Sequence, residues 1–187
     1  MKNANFKTFV KKHILIIGIL LPALGVRLYT SKPHTPFWDA SVYLLMGKHL
    51  FSSGQTGLIE SFRPLGWPLL LGCIWKVGAD PIIWGRLIVL ACSTGSIIII
   101  YLIGRKFYSP TTGILAALFL SLSPSYIFWE NCIYPDIPSS FLGLLAIYLF
   151  FQNKKFFSGF IGGVAFFTKF TQLIPIIVLG GANIIHR

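Results

Sequence analysis

The sequence predicts an all-α integral membrane protein with four transmembrane helices, a broken or re-entrant C-terminal helix pair, and a long first outer loop that carries interfacial helices. Hydrophobic residues make up 55% of the chain and charged residues only 11%, whereas soluble domains carry about 25% charged residues. Apolar runs near the roughly 20 residues that a spanning helix needs recur along the chain. Basic residues stand at the ends of these runs, as they do beside membrane spans. We therefore expect one membrane domain over residues 1–187.

The net charge of +11 raises the question of a nucleic-acid partner. The basic residues do not gather in one hydrophilic patch, and the chain carries no DNA-binding or RNA-binding motif. In so apolar a sequence, anionic lipid headgroups or a lipid-phosphate substrate are the expected counter-charges. The composition thus predicts contacts with anionic lipids and excludes nucleic-acid binding as the main activity.

Four apolar runs are predicted to span the membrane. The first has four lysines before it, an arrangement that also resembles a signal peptide. No clean A-x-A cleavage site follows this run and further spans come later, so we interpret it as an uncleaved first span. The predicted spans are residues 13–29, 81–104, 112–129 and 137–151.

The basic residues predict the orientation of these spans. If the four spans alternate in direction, the N-terminal lysines, Arg105 with Lys106, and Lys154 with Lys155 fall on one side. Positive residues favour the cytoplasmic side, so the N-terminus is expected in the cytoplasm and residues 30–80 form an outer loop. Within that loop, residues 66–78 are apolar but short, which favours an interfacial or re-entrant helix over a span.

The last apolar stretch, residues 156–185, is interrupted by Thr168 and Lys169. Each half is too short to span comfortably. Two interpretations remain: a re-entrant hairpin that returns to the cytoplasm at the last two residues, or one long tilted helix. We favour the hairpin, because a lysine at mid-depth is costly unless it faces a cavity inside the protein.

All five carboxylates of the chain fall on the outer side in this topology. Short cytoplasmic loops with no room for acids are one explanation, and a polar site at the outer face is the other. Asp136 comes shortly before Pro138, which suits the first turn of a helix, where the helix dipole itself favours a carboxylate. The five acids are Asp39, Glu60, Asp80, Glu130 and Asp136.

Several short motifs follow one another in a recognisable order. With them the sequence resembles, over nearly its whole length, the polytopic glycosyltransferases of the C fold. This group includes dolichyl-phosphate-mannose–protein mannosyltransferases and bacterial lipid A aminoarabinose transferases. The motifs are Asp39 with Tyr43, Arg63–Pro64 before the apolar run 65–71, Gly85–Arg86–Leu87, Ser123–Pro124 with Glu130 and Asp136 beyond, and the small-residue run 162–167 ending in Thr168–Lys169.

The resemblance implies transfer of a sugar from a polyprenyl-phosphate donor to an acceptor hydroxyl at the outer membrane face. Such a reaction needs a carboxylate base for the hydroxyl and positive charge for the departing phosphate. The resemblance implies Asp39, as the base, and Asp136 as catalytic residues. It implies Arg63, Lys169 and Arg86 as ligands of the donor phosphate.

Other residues are assigned supporting roles by the same resemblance: Tyr43, Glu60 and Glu130. A divalent cation is the alternative to basic side chains at the phosphate. His34 or His49 could join Asp39 or Glu60 at such a metal, although their spacing matches no metal motif.

The sequence departs from the family pattern in two ways. Ala40 follows Asp39 where the family often has a second acid, and the matching motifs are those of the family's N-terminal half. The chain is therefore expected to be a truncated product, a fragment or half of a split enzyme. We expect it to transfer sugar poorly unless a partner chain supplies the C-terminal half.

The competing interpretation is a non-catalytic membrane subunit or a small transporter. Transporters place ionisable residues near the bilayer midplane, and Lys169 is the candidate for that depth. The remaining candidates cluster at one interface, which favours chemistry on a lipid substrate there.

Overall fold

A computed structural model describes residues 2–30 and 38–185, with side chains described from residue 14 onward except at residues 15, 30–37, 179 and 182–187. Within these ranges the regular structure is helical and contains no strand, as the composition predicts. The helices are α1 (Lys2–Thr30), α2 (Asp39–Phe51), α3 (Gly66–Lys76), α4 (Pro81–Phe107), α5 (Pro110–Leu122), α6 (Pro124–Glu130), α7 (Asp136–Phe151), α8 (Lys155–Thr168) and α9 (Leu173–Ile185), with a 3-10 turn at Phe170–Gln172.

Three consecutive helices begin at a proline that follows a capping residue. The side chains of Asp80, Ser109 and Ser123 accept hydrogen bonds from backbone N–H groups in the first turns of α4, α5 and α6. The first backbone N–H groups of a helix have no acceptor within the helix. Proline is favoured at the first position because it has no N–H, and the capping oxygen accepts a hydrogen bond from another of these N–H groups. Local sequence therefore sets where these helices start.

One helix among the described residues, α4, is both long and apolar enough to cross a membrane unaided. Helices α5 and α6 meet these criteria only as a pair bent by 58°. The predicted span 112–129 is thus divided into two helices, because Pro124 cannot continue the hydrogen-bond ladder of α5. Parts of α1, α7 and α8 are apolar but shorter, at 10–17 residues, so the expected count of four spans is not confirmed on these criteria.

The long helices alternate in direction. Gly104 of α4 packs against Gly113 of α5, and Ser158 of α8 donates a hydrogen bond to the Ala146 carbonyl of α7 at 2.7 Å. Helices α4 and α7 run in the same direction. Phe141 in the first half of α7 lies against Gly95 in the middle of α4, and Phe107 and Phe151, at the C-terminal ends of the two helices, are in contact. The bundle therefore has two distinct ends.

The charges divide between these two ends. We call the end where α4 and α7 begin the site end. All five carboxylates lie in the half of the bundle nearest to it. The basic end, where α4 and α7 finish, carries the pairs at residues 105–106 and 154–155, and Lys106 donates to the Phe151 carbonyl at 2.6 Å. This separation is the one that the basic flanks indicate, while the assignment of the basic end to the cytoplasm stays a prediction.

The C-terminal stretch reverses direction at Lys169. Helix α8 ends at Thr168, and α9 folds back so that Ile176 lies against Gly162. The path is that of a hairpin and not of one long tilted helix. Whether the hairpin is re-entrant in a membrane stays a prediction.

Helices α2 and α3 form a layer across the site end, within the segment expected to be the outer loop. They approach closely at Gly47, where a β-carbon would lie 2.7 Å from the Pro68 carbonyl oxygen. An apolar cluster then joins this layer to the bundle: Ala40, Tyr43, Leu44, Trp67, Leu71, Val89, Ile133 and Ile137.

Candidate functional site

The first group of candidate residues gathers around Arg63 at the site end. Its Nη2 lies 2.9 Å from Asp39 Oδ1, and its Nε pairs with Glu60 Oε2. The guanidinium carbon also lies 5.0 Å from the centre of the Tyr43 ring, in the range of a cation–π contact. Four residues that the resemblance selected as base, phosphate ligand and supporting groups therefore meet at one guanidinium.

The guanidinium of Arg63 is held in its charged form by this group. Its pKa is raised above the ordinary value, chiefly by the hydrogen bond to Asp39, with burial opposing and Glu60 and Tyr43 adding to the rise. Two carboxylates thus face one permanently charged cation, which leaves a local excess of negative charge.

The backbone directly before Asp39 has an unusual conformation. Trp38 has φ of 46°, in the left-handed region, which is uncommon for a bulky residue. Such conformations cost free energy and tend to occur at functional sites. The Trp38 side chain is exposed, so an apolar ring stands beside the candidate base.

The second group is the ion pair between Lys169 Nζ and Asp136 Oδ1. Asp136 is the first residue of α7, where the helix dipole favours a negative charge. Lys169 is extended, with φ of −153° and ψ of 123°, between α8 and the 3-10 turn. The break in the C-terminal stretch therefore places the lysine beside Asp136.

The segment 131–135 lies between the two groups. Burial raises the pKa of Tyr134, and the charges of Cys132, Asp39 and Asp136 raise it further. The charges of both candidate carboxylates, Asp39 and Asp136, thus raise the pKa of the same phenol. Trp67 fixes this segment by donating from Nε1 to the Ile133 carbonyl at 3.0 Å.

The chain segments that carry Arg63 and Lys169 are also in direct contact. A β-carbon on Gly66 would lie 2.7 Å from the Phe167 carbonyl oxygen and 3.0 Å from Thr168 Cα. Glycine is required here because two backbones meet. That Asp39 and Asp136 face one shared cavity stays a prediction.

Arg86, the third candidate phosphate ligand, lies in the second turn of α4. Burial raises the pKa of the Cys132 thiol, the charge of Asp136 raises it further, and the charge of Arg86 opposes the rise. Arg86 is therefore near the segment that precedes Asp136.

Glu130 is not part of either group. It forms an ion pair with Arg27, whose Nε lies 2.9 Å from Glu130 Oε2. Sequence reasoning missed Arg27. The available signal was an arginine inside an apolar helical run, which in a membrane protein indicates a buried partner.

No three His, Cys, Asp or Glu side chains among the described residues are arranged to hold a metal ion. His34 lies outside the described residues. His49 is ten residues beyond Asp39 on α2, about 15 Å along the helix axis. The suggestion that His49 and Asp39 share one ion is therefore wrong.

An apolar groove of about 380 Å³ opens between α3, α4, α7 and α8 beside the two ion pairs. Its lining includes Gly66, three residues from Arg63, and Thr168, next to Lys169. Pro138, two residues from Asp136, lies there as well. The lining is Gly66, Trp67, Leu69, Leu70, Ile88, Cys92, Pro138, Phe141, Leu142, Val164, Phe167 and Thr168.

A protein-family model described as dolichyl-phosphate-mannose-protein mannosyltransferase matches residues 63–186, well over half of the chain. No curated protein and no solved structure matches the chain significantly. The match includes Arg63, Arg86, Asp136 and Lys169, and it begins after Asp39.

Proposed function

Because the chain belongs to the dolichyl-phosphate-mannose-protein mannosyltransferase family, we propose that it binds a polyprenyl-phosphate-linked sugar and takes part in transferring the sugar to an acceptor hydroxyl at the outer membrane face. The observation that carries this proposal is that three members of the two ion pairs, Arg63, Asp136 and Lys169, lie within three residues of positions that line the apolar groove. The donor has an apolar chain, an anionic phosphate and a sugar. The groove suits the apolar chain, the two cations suit the phosphate, and the two carboxylates suit the sugar and its transfer.

In the proposed reaction the acceptor oxygen attacks the anomeric carbon and the bond from that carbon to the carrier phosphate breaks. The bonding electron pair leaves with the phosphate, and the acceptor proton passes to a carboxylate. Asp39 is the proposed base. Its side chain is 40% exposed while one oxygen contacts Arg63, so an acceptor can approach it.

Arg63 and Lys169 are the proposed ligands of the phosphate. Each already faces a carboxylate in a partly exposed ion pair, and such pairs cost little to open. Arginine can bind two phosphate oxygens at once, so a phosphate can replace Asp39 as its partner. Donor binding would then release the Asp39 carboxylate for the acceptor.

The transporter alternative receives less support from the buried charges. Arg27 and Glu130 lie between helices, but their side chains are only 1% and 5% exposed. A substrate pathway would need these charges to face a water-filled space. The partly exposed ion pairs instead gather at one end of the bundle.

The proposal is tested with the purified full-length chain in lipid nanodiscs and a mannosyl polyprenyl phosphate as the probe. We expect Arg63→Gln and Lys169→Met each to weaken probe binding by roughly tenfold or more, because the phosphate would lose a cation. Lys76→Met, which removes an exposed cation at the end of α3, is the control. Equal binding by all three variants would overturn the phosphate assignment.

The base is tested by release of polyprenyl phosphate, which reports transfer to any acceptor, including water. Asp39→Asn should bind the probe at least as tightly as the wild type does, because Arg63 loses a competing partner, and should lose roughly 10²-fold or more in release. Asp80→Asn keeps the cap of α4, since asparagine caps as well as aspartate, and serves as the control. Equal release by Asp39→Asn and Asp80→Asn would remove Asp39 from the mechanism.

A further inference from the structure

The broken span α5–α6 leaves backbone groups that its own helices cannot satisfy. Its bend of 58° lies at Ser123 and Pro124. The last carbonyls of a helix have no donor from a following turn. At this break, Arg27 from α1 donates from Nη1 to the Ser121 carbonyl at 3.3 Å.

The same guanidinium contacts both halves of the broken span and two neighbouring helices. Its Nε lies 3.3 Å from Ser93 Oγ on α4 and 2.9 Å from Glu130 Oε2 at the end of α6. Its Nη1 also donates to the Ala23 carbonyl within α1 at 3.0 Å. One buried side chain therefore joins α1, α4, α5 and α6.

The bend angle matters because α6 leads directly to the candidate site. Its last residue is Glu130, and the following segment carries Ile133 and Tyr134 to the layer of α2 and α3 before Asp136 begins α7. Helix α6 has seven residues, so it is about 10 Å long. A change of about 10° in the bend would move its end by about 2 Å, and misplacement by about 1 Å can cost a hundredfold in rate.

Net stability is a poor explanation for this ion pair. Two charges removed from water are often no more stabilising than apolar residues of similar volume. What the pair does supply is a fixed geometry, because a rigid planar guanidinium contacts Ser121, Ser93 and Glu130 together only over a narrow range of helix arrangements.

We propose that Arg27 and Glu130 are positioning residues: their ion pair fixes the bend between α5 and α6 and so sets where Asp136 stands relative to Asp39. The inference rests on the proposed function for its catalytic consequence. Its geometric part can be measured without any turnover.

The geometric part is tested by pulsed electron–electron distance measurement on the full-length chain in nanodiscs. Spin labels go to two exposed positions, Ser61 beside Arg63 and Phe128 in the last half of α6, after the three native cysteines are replaced by alanine. We expect one narrow distance distribution in the parent and a broadened or shifted one in Arg27→Gln and Glu130→Gln. Arg105→Gln, at the basic end, is the control and should leave the distribution unchanged. An unchanged distribution in Arg27→Gln would overturn the proposal.

A double variant separates positioning from folding. Arg27→Met with Glu130→Leu removes both charges, and such replacements are tolerated in other buried pairs. We expect it to fold, by its thermal transition, and still to show the broadened distances, with kcat lowered roughly tenfold or more and KM for the donor little changed. Parent-like distances in the folded double variant would show that the pair has only a structural role.

The positioning role of Arg27 and Glu130 and the proposed function can be refuted independently of each other. Altered distances in a chain whose wild type neither binds nor consumes the donor would leave the positioning geometry intact and refute the proposed function. Unaltered distances in Arg27→Gln, together with loss of donor release in Asp39→Asn, would refute the positioning role and leave the function standing.

Discussion

Two kinds of ion pair occupy neighbouring parts of this bundle. The Asp39–Arg63 and Asp136–Lys169 pairs at the site end have side chains between 16% and 40% exposed. The Arg27–Glu130 pair inside the bundle is at most 5% exposed. Exposed pairs contribute about 0–1 kcal/mol to stability, whereas removing one partner of a buried pair costs about 3–5 kcal/mol.

The difference shows why similar charges can serve different purposes. A pair that costs little to open can exchange its carboxylate for a phosphate, as ligand binding requires. A pair that is enclosed by four helices cannot exchange partners without leaving a buried charge, so it is suited to holding a geometry. Exposure thus distinguishes the proposed binding residues from the proposed positioning residues.

The largest expected effect comes from breaking the buried pair on one side only. Glu130→Leu should lower the free energy of unfolding by about 3–5 kcal/mol, because Arg27 is left charged and enclosed. The double variant with Arg27→Met should recover most of that loss. Chemical unfolding in detergent, followed by circular dichroism, measures both. A double variant that is no more stable than Glu130→Leu would show that the charge is not the cause.

A smaller effect is expected where the backbones of α3 and α8 meet. Gly66→Ala should destabilise by about 1–3 kcal/mol, the usual range for overpacking, since the new methyl group would collide with backbone atoms of residues 167 and 168. Gly159→Ala, in helix α8 with open space around it, is the matched control. Equal stability of the two variants would contradict the close contact between the Arg63 and Lys169 segments.

Opening the exposed pair should change stability least among the charge variants. Lys169→Met and Asp136→Asn should each alter the free energy of unfolding by no more than about 1 kcal/mol, while donor binding falls in the lysine variant. The same unfolding experiment measures the first effect. A loss of several kcal/mol in either variant would show that this exposed pair stabilises the fold as strongly as Arg27 and Glu130 do. The difference between the exposed and the buried pairs would then not hold.

The sequence was informative where local chemistry decides the structure. Proline after a capping residue marks the starts of α4, α5 and α6. The small-residue run ending at Thr168 and Lys169 marks the reversal between α8 and α9. These features depend on a few adjacent residues, and the family resemblance added the order in which the charged residues follow.

Features set by packing between distant segments were beyond the sequence. Arg27 and Glu130 are far apart in the chain, and nothing local indicates that a bent span brings Glu130 to α1 and away from Arg63. Span 112–129 looked continuous because its hydropathy continues through Pro124, while the backbone does not. Tyr134 received no attention because its environment is made by three other segments.

The smallest predicted effect concerns Tyr134, and it tests whether the two exposed pairs share one environment. Burial and the charges of Cys132, Asp39 and Asp136 raise the pKa of its phenol above the ordinary value of about 10. The unfolded chain therefore loses this proton first, so the contribution to stability is present below pH 10 and is lost as pH rises through the folded-state pKa. Phenolate absorbance during an alkaline titration, taken as the difference between wild type and Tyr134→Phe, isolates this group. Tyr108→Phe, which removes an exposed phenol at the basic end, controls for the loss of one tyrosine.

In that difference titration, Asp39→Asn and Asp136→Asn should each lower the Tyr134 pKa, because each removes a negative charge that opposes ionisation of the phenol. Asp80→Asn, a carboxylate at the same end that does not act on Tyr134, should leave the pKa in place. A shift in both variants would mean that one phenol senses both ion pairs, as a common site requires. A shift in only one of them would separate Asp39 from Asp136, and the base and the second carboxylate would then belong to different environments.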